Sequence, residues 1–216
     1  MDIYKAFQFL KALKKNNKRD WFQRRKPQFD EILGEFELLV DELLHSMVDL
    51  HPDFLDLKPR DCMFRIYRDV RFSKDKSPYK AHLSAFLAPG GRKAVKPGYY
   101  IHLEPGQTMI AGGWYMPSVE NLQKIRKYIL DNGDELQKRI KPLVKKYHLE
   151  PFDKLARVPR GFPADHLYAD WLKLKHFVLV RSIPDSQATS RSFKPSLIRS
   201  LKTLHPFCIH LEKMAK

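Results

Sequence analysis

Four short apolar segments between residues 62 and 115 constrain the fold more than any other feature of the chain. "CMFRIY" (62–67), "AHLSAFLA" (81–88), "YYIHLE" (99–104) and "TMIAGGWY" (108–115) have strand length and are rich in aromatic and aliphatic side chains. The links between them are short and hold turn residues, as in "PGGRKAVKPG" and "PGQ". A parallel pair would need a longer crossover, so the short links argue for antiparallel pairing. A fifth segment of the same kind, "HFVLVRSI", occupies 176–183.

Helical spacing flanks this block on both sides. Asp2 can cap a first helix with Ile3, Phe7, Leu10 and Leu13 on one face, and Asp20 a second start at "WFQRRK". From Pro27 onward, Phe29, Ile32, Leu33, Phe36, Leu39, Val40, Leu43, Leu44 and Met47 recur at three- and four-residue spacing, which predicts a long amphipathic helix. Later, Ser118 opens a helix that stops at "DNG", and Asp134 caps another, with a break predicted at Pro142. A short helix within "DHLYADWLKLK" and a C-terminal helical stretch broken near Pro206 complete the reading. The fold class is therefore α+β, an antiparallel sheet of about five strands packed with N-terminal and C-terminal helices, in one domain over 1–216.

No stretch approaches the roughly 18 to 20 uninterrupted apolar residues of a membrane span. The N-terminal residues lack a small-residue cleavage site of the signal-peptide type, and Cys62 and Cys208 lie far apart in apolar surroundings. Neither a disulfide framework nor a cysteine zinc site is indicated, and the cytoplasm is the expected compartment. The net charge of +15 is spread out: residues 1–60 are neutral, and each of 61–104, 105–160 and 161–216 carries +5. A diffuse positive field favours any polyanion, so it suggests a nucleic-acid partner without specifying one.

The sharpest local signal is "RIYRDVRFSKDKSPYK" (65–80), which holds six basic and two acidic side chains directly after the first strand-like segment. Strand alternation would put Phe64 and Ile66 on the core face and project Arg65 and Tyr67 from the other. The loop adds Arg68, Asp69, Arg71, Lys74, Asp75, Lys76, Tyr79 and Lys80. Guanidinium groups suit forked recognition of carboxylate or phosphate, lysine supplies a point charge, and tyrosine a neutral donor. Arg65, Arg68, Arg71, Lys76, Tyr79 and Lys80 are the candidate ligand-binding residues. At a reacting centre the candidates are His102, Tyr67 and Asp69. His102 and Tyr67 would act as acid/base groups, and Asp69 would orient a guanidinium, because its basic neighbours weaken it as a base.

Together with "NNKRDWF", "PGYYIHLEPG", "AGGWYMP", "RVPRGFPADH" and "LKLKHFVLVRSI", this motif resembles an uncharacterised family called domain of unknown function 2461. The likeness covers nearly the whole chain. It implies one compact domain and a cytosolic protein, and it transfers no catalytic residue and no substrate.

Alternation also puts Tyr100, His102 and Glu104 on one face of the third segment, and His82 and Ser84 on one face of the second. Antiparallel neighbours could bring His82, His102 and Glu104 together, the inventory of an acid/base pair or of a metal site, although an ordinary hydrogen-bonded histidine has the same pattern and neither a metal nor a cofactor is expected. The glycines of "AGGWY" allow a close approach, by a ligand against Trp114 and Tyr115 or by packing at a bulge. Near the first helix start, Asn17, Arg19 and Trp21 could add donors to an anion site. No nucleophile elbow, P-loop or dinucleotide fingerprint occurs. The leading expectation is a protein that binds an anionic small molecule through phosphate or carboxylate. The alternatives are a nucleic-acid binder stacking bases on Tyr99, Tyr100 and Trp114, and a scaffold whose charged loop is pinned by internal ion pairs.

Overall fold

The computed structural model describes residues 1–150 and 153–216. Among these residues it contains eight α-helices and one five-stranded antiparallel sheet, the α+β arrangement that the short links demand. The strands are β1 (Leu83–Leu87), β2 (Gly98–Leu103), β3 (Met109–Trp114), β4 (His148–Leu149) and β5 (Phe177–Ser182), in the order β1-β2-β3-β5-β4. In the outer pair His148 faces Val180 and Leu149 faces Leu179.

The chain gathers into two compact units. The first comprises Met1–Arg92, Tyr100–Ile110 and Ser182–Arg199. It opens with α1 (Ile3–Lys15), where the Asp2 carboxylate accepts the Lys5 N–H at 2.9 Å as a helix cap. After α2 (Arg19–Arg24) comes α3 (Lys26–His45), which buries Phe29, Ile32, Phe36, Leu39, Val40, Leu43 and Leu44 along one stripe. α2 starts one residue before Asp20, which sits in its first turn instead of capping it. α4 (Pro59–Cys62) is a single turn, and α7 (Asp185–Ala188) another.

The second unit comprises Lys93–Tyr99, Ala111–Arg181 and Ser200–Lys216. Here the two helices expected on either side of "DNG" form one element, α5 (Val119–Ile140), kinked at Asn132, whose backbone leaves the helical region. α5 ends before Pro142, as a proline requires. The Arg126 guanidinium is buried and donates to Leu172 O at 2.8 Å and Leu174 O at 3.2 Å, tying α5 to the end of the one-turn α6 (Ala169–Leu172).

Two further expectations are corrected. Residues 62–67 are not one of the five strands: Pro59 starts α4, which takes up Cys62, and only isolated bridges follow at Met63 and Tyr67. The strand that completes the sheet in their place is the two-residue β4, too short to leave a sequence pattern and held by its pairing with β5, which "HFVLVRSI" forms as expected. The break near Pro206 does not occur, since α8 (Phe193–Met214) runs through it. Pro206 removes one backbone bond at an exposed position, a cost of about 3 kcal/mol. Burial of Leu197, Leu201, Leu204, Phe207, Cys208 and Leu211 along the same helix offsets that cost. No helix of the described residues is long and apolar enough to cross a membrane.

Candidate functional site

The charged motif is held by an irregular antiparallel pairing in the first unit. Met63 bridges Ala85 and Tyr67 bridges Tyr79. Phe64 N–H donates to Ser84 O at 2.9 Å, Lys80 N–H to Ile66 O at 2.7 Å, and Arg68 N–H to Pro78 O at 2.9 Å. Between the bridges the chain advances four residues on one side and six on the other, so the 79–85 side bulges. The expected sidedness nevertheless holds where it matters, with Ile66 buried and Arg65 and Tyr67 exposed.

The side chain of Asn17, from the link between α1 and α2, fastens this pairing. Its amide nitrogen donates to Tyr79 O at 2.8 Å, and its oxygen accepts the Tyr79 N–H at 3.0 Å. The Tyr79 ring is only 2% exposed and stacks on Phe22 at 4.1 Å. It is a core aromatic and presents no open face to a ligand. Burial, reinforced by the neighbouring Tyr67, pushes its hydroxyl above the usual tyrosine range. Trp21, with Arg25 over its ring at 4.4 Å, packs against Phe9 in the same aromatic group.

Within the loop, most of the charge is consumed internally. Arg68 forms an ion pair with Asp75 and reaches Ser73 Oγ at 3.3 Å. Hydrogen bonds to Ser77, joined by the Arg68 pair, hold the Asp75 carboxyl well below the usual range. Asp69 grips Arg71 in a forked contact of 3.0 and 2.7 Å, the orienting role that its basic neighbours suggested. That hydrogen bond depresses the Asp69 pKa. Lys76 donates to Val70 O at 3.0 Å. Arg65 and Lys80 stand apart from this network. Among the described residues neither makes an ion pair within 4.0 Å. Lys80 is half-buried with its ammonium 5.6 Å from the centre of the Phe64 ring. Burial and then the charge of Arg65 lower its pKa.

A second cluster forms where strand alternation placed it. The His82 and His102 rings lie 4.2 Å apart between centroids, tilted by 37°. His102 Nε2 is 3.1 Å from Glu104 Oε2, and His82 Nδ1 is 3.8 Å from the same oxygen. Behind His102, its Nδ1 meets the Tyr100 hydroxyl at 3.0 Å, and Ser84 bonds that hydroxyl in turn. Glu104 Oε1 accepts from Lys14 of α1 at 3.2 Å. Lys14 went unnoticed in the sequence, and its only signal is membership of the basic last turn of α1. Burial first, then His102, pull the His82 pKa down to about 4 against the opposing pull of Glu104. Burial raises the Glu104 carboxyl, but the bonds from His102 and Lys14 outweigh it and leave the pKa below the usual range. Described contacts of His102 join it to His82, Tyr100 and Glu104, and none joins it to Tyr67 or Asp69.

A family model described as conserved hypothetical protein (DUF2461) matches residues 5–209. The chain belongs to this family. Searches of curated proteins and of solved structures return no match. As a DUF2461 protein the chain inherits no reaction from the family's description, and its chemistry has to be read from the two clusters themselves.

Those clusters adjoin, because Lys80 acts electrostatically on both Arg65 and His82. One offers two cations that make no ion pair among the described residues, although the charge of Arg65 reaches Asp69, and the other a histidine pair with His102 in β2 and His82 just before β1. The aromatic residues available for base stacking are fewer than expected: Tyr99 and Trp114 are buried at 0% and 4% exposure. The glycines beside Trp114 serve packing. A Cβ on Gly112 would lie 2.9 Å from Leu204, and one on Gly113 would lie 2.0 Å from Phe177 O.

Proposed function

We propose that this is a cytoplasmic protein that binds a small molecule through its phosphate or carboxylate group, with Arg65 and Lys80 as the anion-holding pair. The observation that supports this most directly is their pairing: two cations close enough for one to depress the other, with no carboxylate bonded to either among the described residues. Holding like charges together costs stability, and an anion between them reverses the sign of that interaction. Arg65 supplies the fork and Lys80 the point charge, with Phe64 as an apolar wall. His82 and His102 lie on the side of Lys80 and offer ring nitrogens to the rest of the ligand.

Arg68, Arg71 and Lys76 act in this reading as framework, since their donors already meet Asp75, Asp69 and Val70 O. The same internal pairs favour a second reading, a scaffold in which the loop serves only the fold. Substitution separates the two.

The test is thermal denaturation of the wild type, Lys80→Met, Arg65→Leu and Arg71→Ala with sugar phosphates, nucleotides, dicarboxylates and short oligonucleotides at two salt concentrations. A ligand at 100 times its Kd adds about 2.7 kcal/mol, a rise in Tm of roughly 5–10 °C for a chain of this size. One class of small anion should stabilise the wild type and Arg71→Ala and leave Lys80→Met and Arg65→Leu unmoved. Equal shifts in all four proteins, or shifts with oligonucleotides alone at low salt, would overturn the proposal.

A further inference from the structure

We infer that His82, His102 and Glu104 form a binding site for a single divalent transition-metal ion of the zinc type. The site shares His82 and His102 with the anion reading but does not depend on it, because neither Arg65 nor Lys80 supplies a ligand. Each of the three residues offers one donor atom, and the three atoms lie within 4.8 Å of one another. Around a tetrahedral ion with bonds of about 2.0–2.1 Å, neighbouring donors stand about 3.3–3.5 Å apart. The separations of 3.1 Å from His102 and 3.8 Å from His82 to Glu104 Oε2 bracket that value. The separation of the two histidine donors is bounded only at 4.8 Å, so the half-buried His82 ring has to turn toward the other two ligands on binding. Two imidazoles and one carboxylate are a borderline donor set, suited to zinc, cobalt or nickel and poor for magnesium or calcium, which take oxygen.

The surroundings of the cluster are those of a ligand set and go beyond three polar groups in contact. When an ion takes the place of the Nε2 proton that bonds Glu104, the Tyr100 hydroxyl at 3.0 Å can accept the proton then carried by Nδ1 of His102. Glu104 divides its work: Oε1 is engaged by Lys14 at 3.2 Å, and Oε2 alone faces both histidines, which is the posture of a monodentate ligand held by an outer-shell cation. His102 lies within β2 and Glu104 immediately after it, so two of the three ligands sit on or beside a paired strand. Three protein ligands leave a fourth position for water or a substrate atom, the count found at catalytic and not at structural zinc sites.

The experiment uses the full chain stripped with a chelator and titrated with Co2+, read by visible ligand-field absorption, with Zn2+ as competitor in calorimetry. The expected result is one ion per chain, a spectrum of four-coordinate intensity, and displacement by Zn2+. Glu104→Gln and His82→Asn should abolish the spectrum, with far-UV circular dichroism and melting confirming that both remain folded. Tyr100→Phe removes no ligand and should keep the one-to-one stoichiometry while weakening affinity about 10- to 100-fold. His45→Ala, at an exposed histidine of α3, should change nothing. The inference is overturned if the wild type gives no such spectrum, or if His82→Asn and Tyr100→Phe bind Co2+ as tightly as the wild type does.

Discussion

Gly113→Ala offers the sharpest test of how the sheet is packed. Gly113 has φ +140°, and a Cβ built there would stand 2.0 Å from Phe177 O and 2.9 Å from Val178 Cα. Both atoms are backbone of β5, so no side chain can swing away, and the two strands would have to separate locally by more than an ångström. The strained backbone contributes about 1–3 kcal/mol and the forced overpacking about another 1–3 kcal/mol. Together they remove about 2–6 kcal/mol from a stability that for a protein of this kind is about 5–15 kcal/mol. At roughly 2–4 °C per kcal/mol, Tm should fall by at least about 4 °C. Two other glycines calibrate the result. Gly106 has φ +80° but no atom within 4 Å of its Cβ position, so Gly106→Ala should show only the backbone cost of about 1–2 kcal/mol. Gly34 lies inside α3 with open space around it, and Gly34→Ala should gain about 0.5–1 kcal/mol from helix propensity. Urea denaturation of the four proteins should rank Gly34→Ala above wild type, then Gly106→Ala, then Gly113→Ala. A Gly113→Ala protein within about 1 kcal/mol of wild type would refute the packing account and return these glycines to a role in ligand approach.

Three further outcomes follow from buried groups of the fold. Asn17→Ala leaves the Tyr79 N–H and C=O without their partners and should cost about 1–3 kcal/mol in chemical denaturation, whereas a loss below about 0.5 kcal/mol would show that water replaces the amide. Burial pushes the Cys62 thiol up to about 11 and raises the Cys208 thiol further, so a thiol reagent at pH 8 should label neither in the folded protein and both after unfolding. His176 accepts the Met116 N–H at 2.9 Å through Nδ1, and burial lowers its pKa in the fold. The unfolded chain then takes up the proton first as pH falls below the ordinary histidine value of about 6.5, so stability should drop on acidification through that region. His176→Asn, which can accept the same N–H, should show a shallower drop in melting curves between pH 7 and 5.

Much of the fold is legible because burial imposes a period. The spacing of Phe29 through Leu44 marks α3, and the alternation in "YYIHLE" puts Tyr100, His102 and Glu104 on one face and, with His82 from just before β1, brings the polar cluster together. What escapes the sequence depends on partners distant along the chain. β4 exists only because β5 pairs with it, and the bulge between residues 79 and 85 arises from two bridges whose spacing no local pattern encodes. A run of charges likewise does not announce which members will neutralise one another. Arg68 meets Asp75 and Arg71 meets Asp69 only once the loop has closed, which removes both from the list of free cations, while Lys76 turns to the Val70 carbonyl and Arg65, Lys74 and Lys80 keep no ion pair among the described residues. Pro206 misleads for a different reason, since a local rule about helices gives way to the apolar stripe that continues on either side of it.

The contact between Asn17 and Tyr79 has a consequence for how this protein behaves among its own copies. Arg68 N–H and Lys80 N–H bond across to Pro78 and Ile66, so the N–H and C=O of Tyr79 point the opposite way, outward from that pairing. An outward row of this kind is a template on which a strand from another molecule can add. Asn17 fills it with a side chain that carries one donor and one acceptor at the spacing of a peptide unit, and a side chain cannot propagate a ladder. The amide thus acts as a stopper against strand addition, and its loss would first be felt as self-association at high concentration.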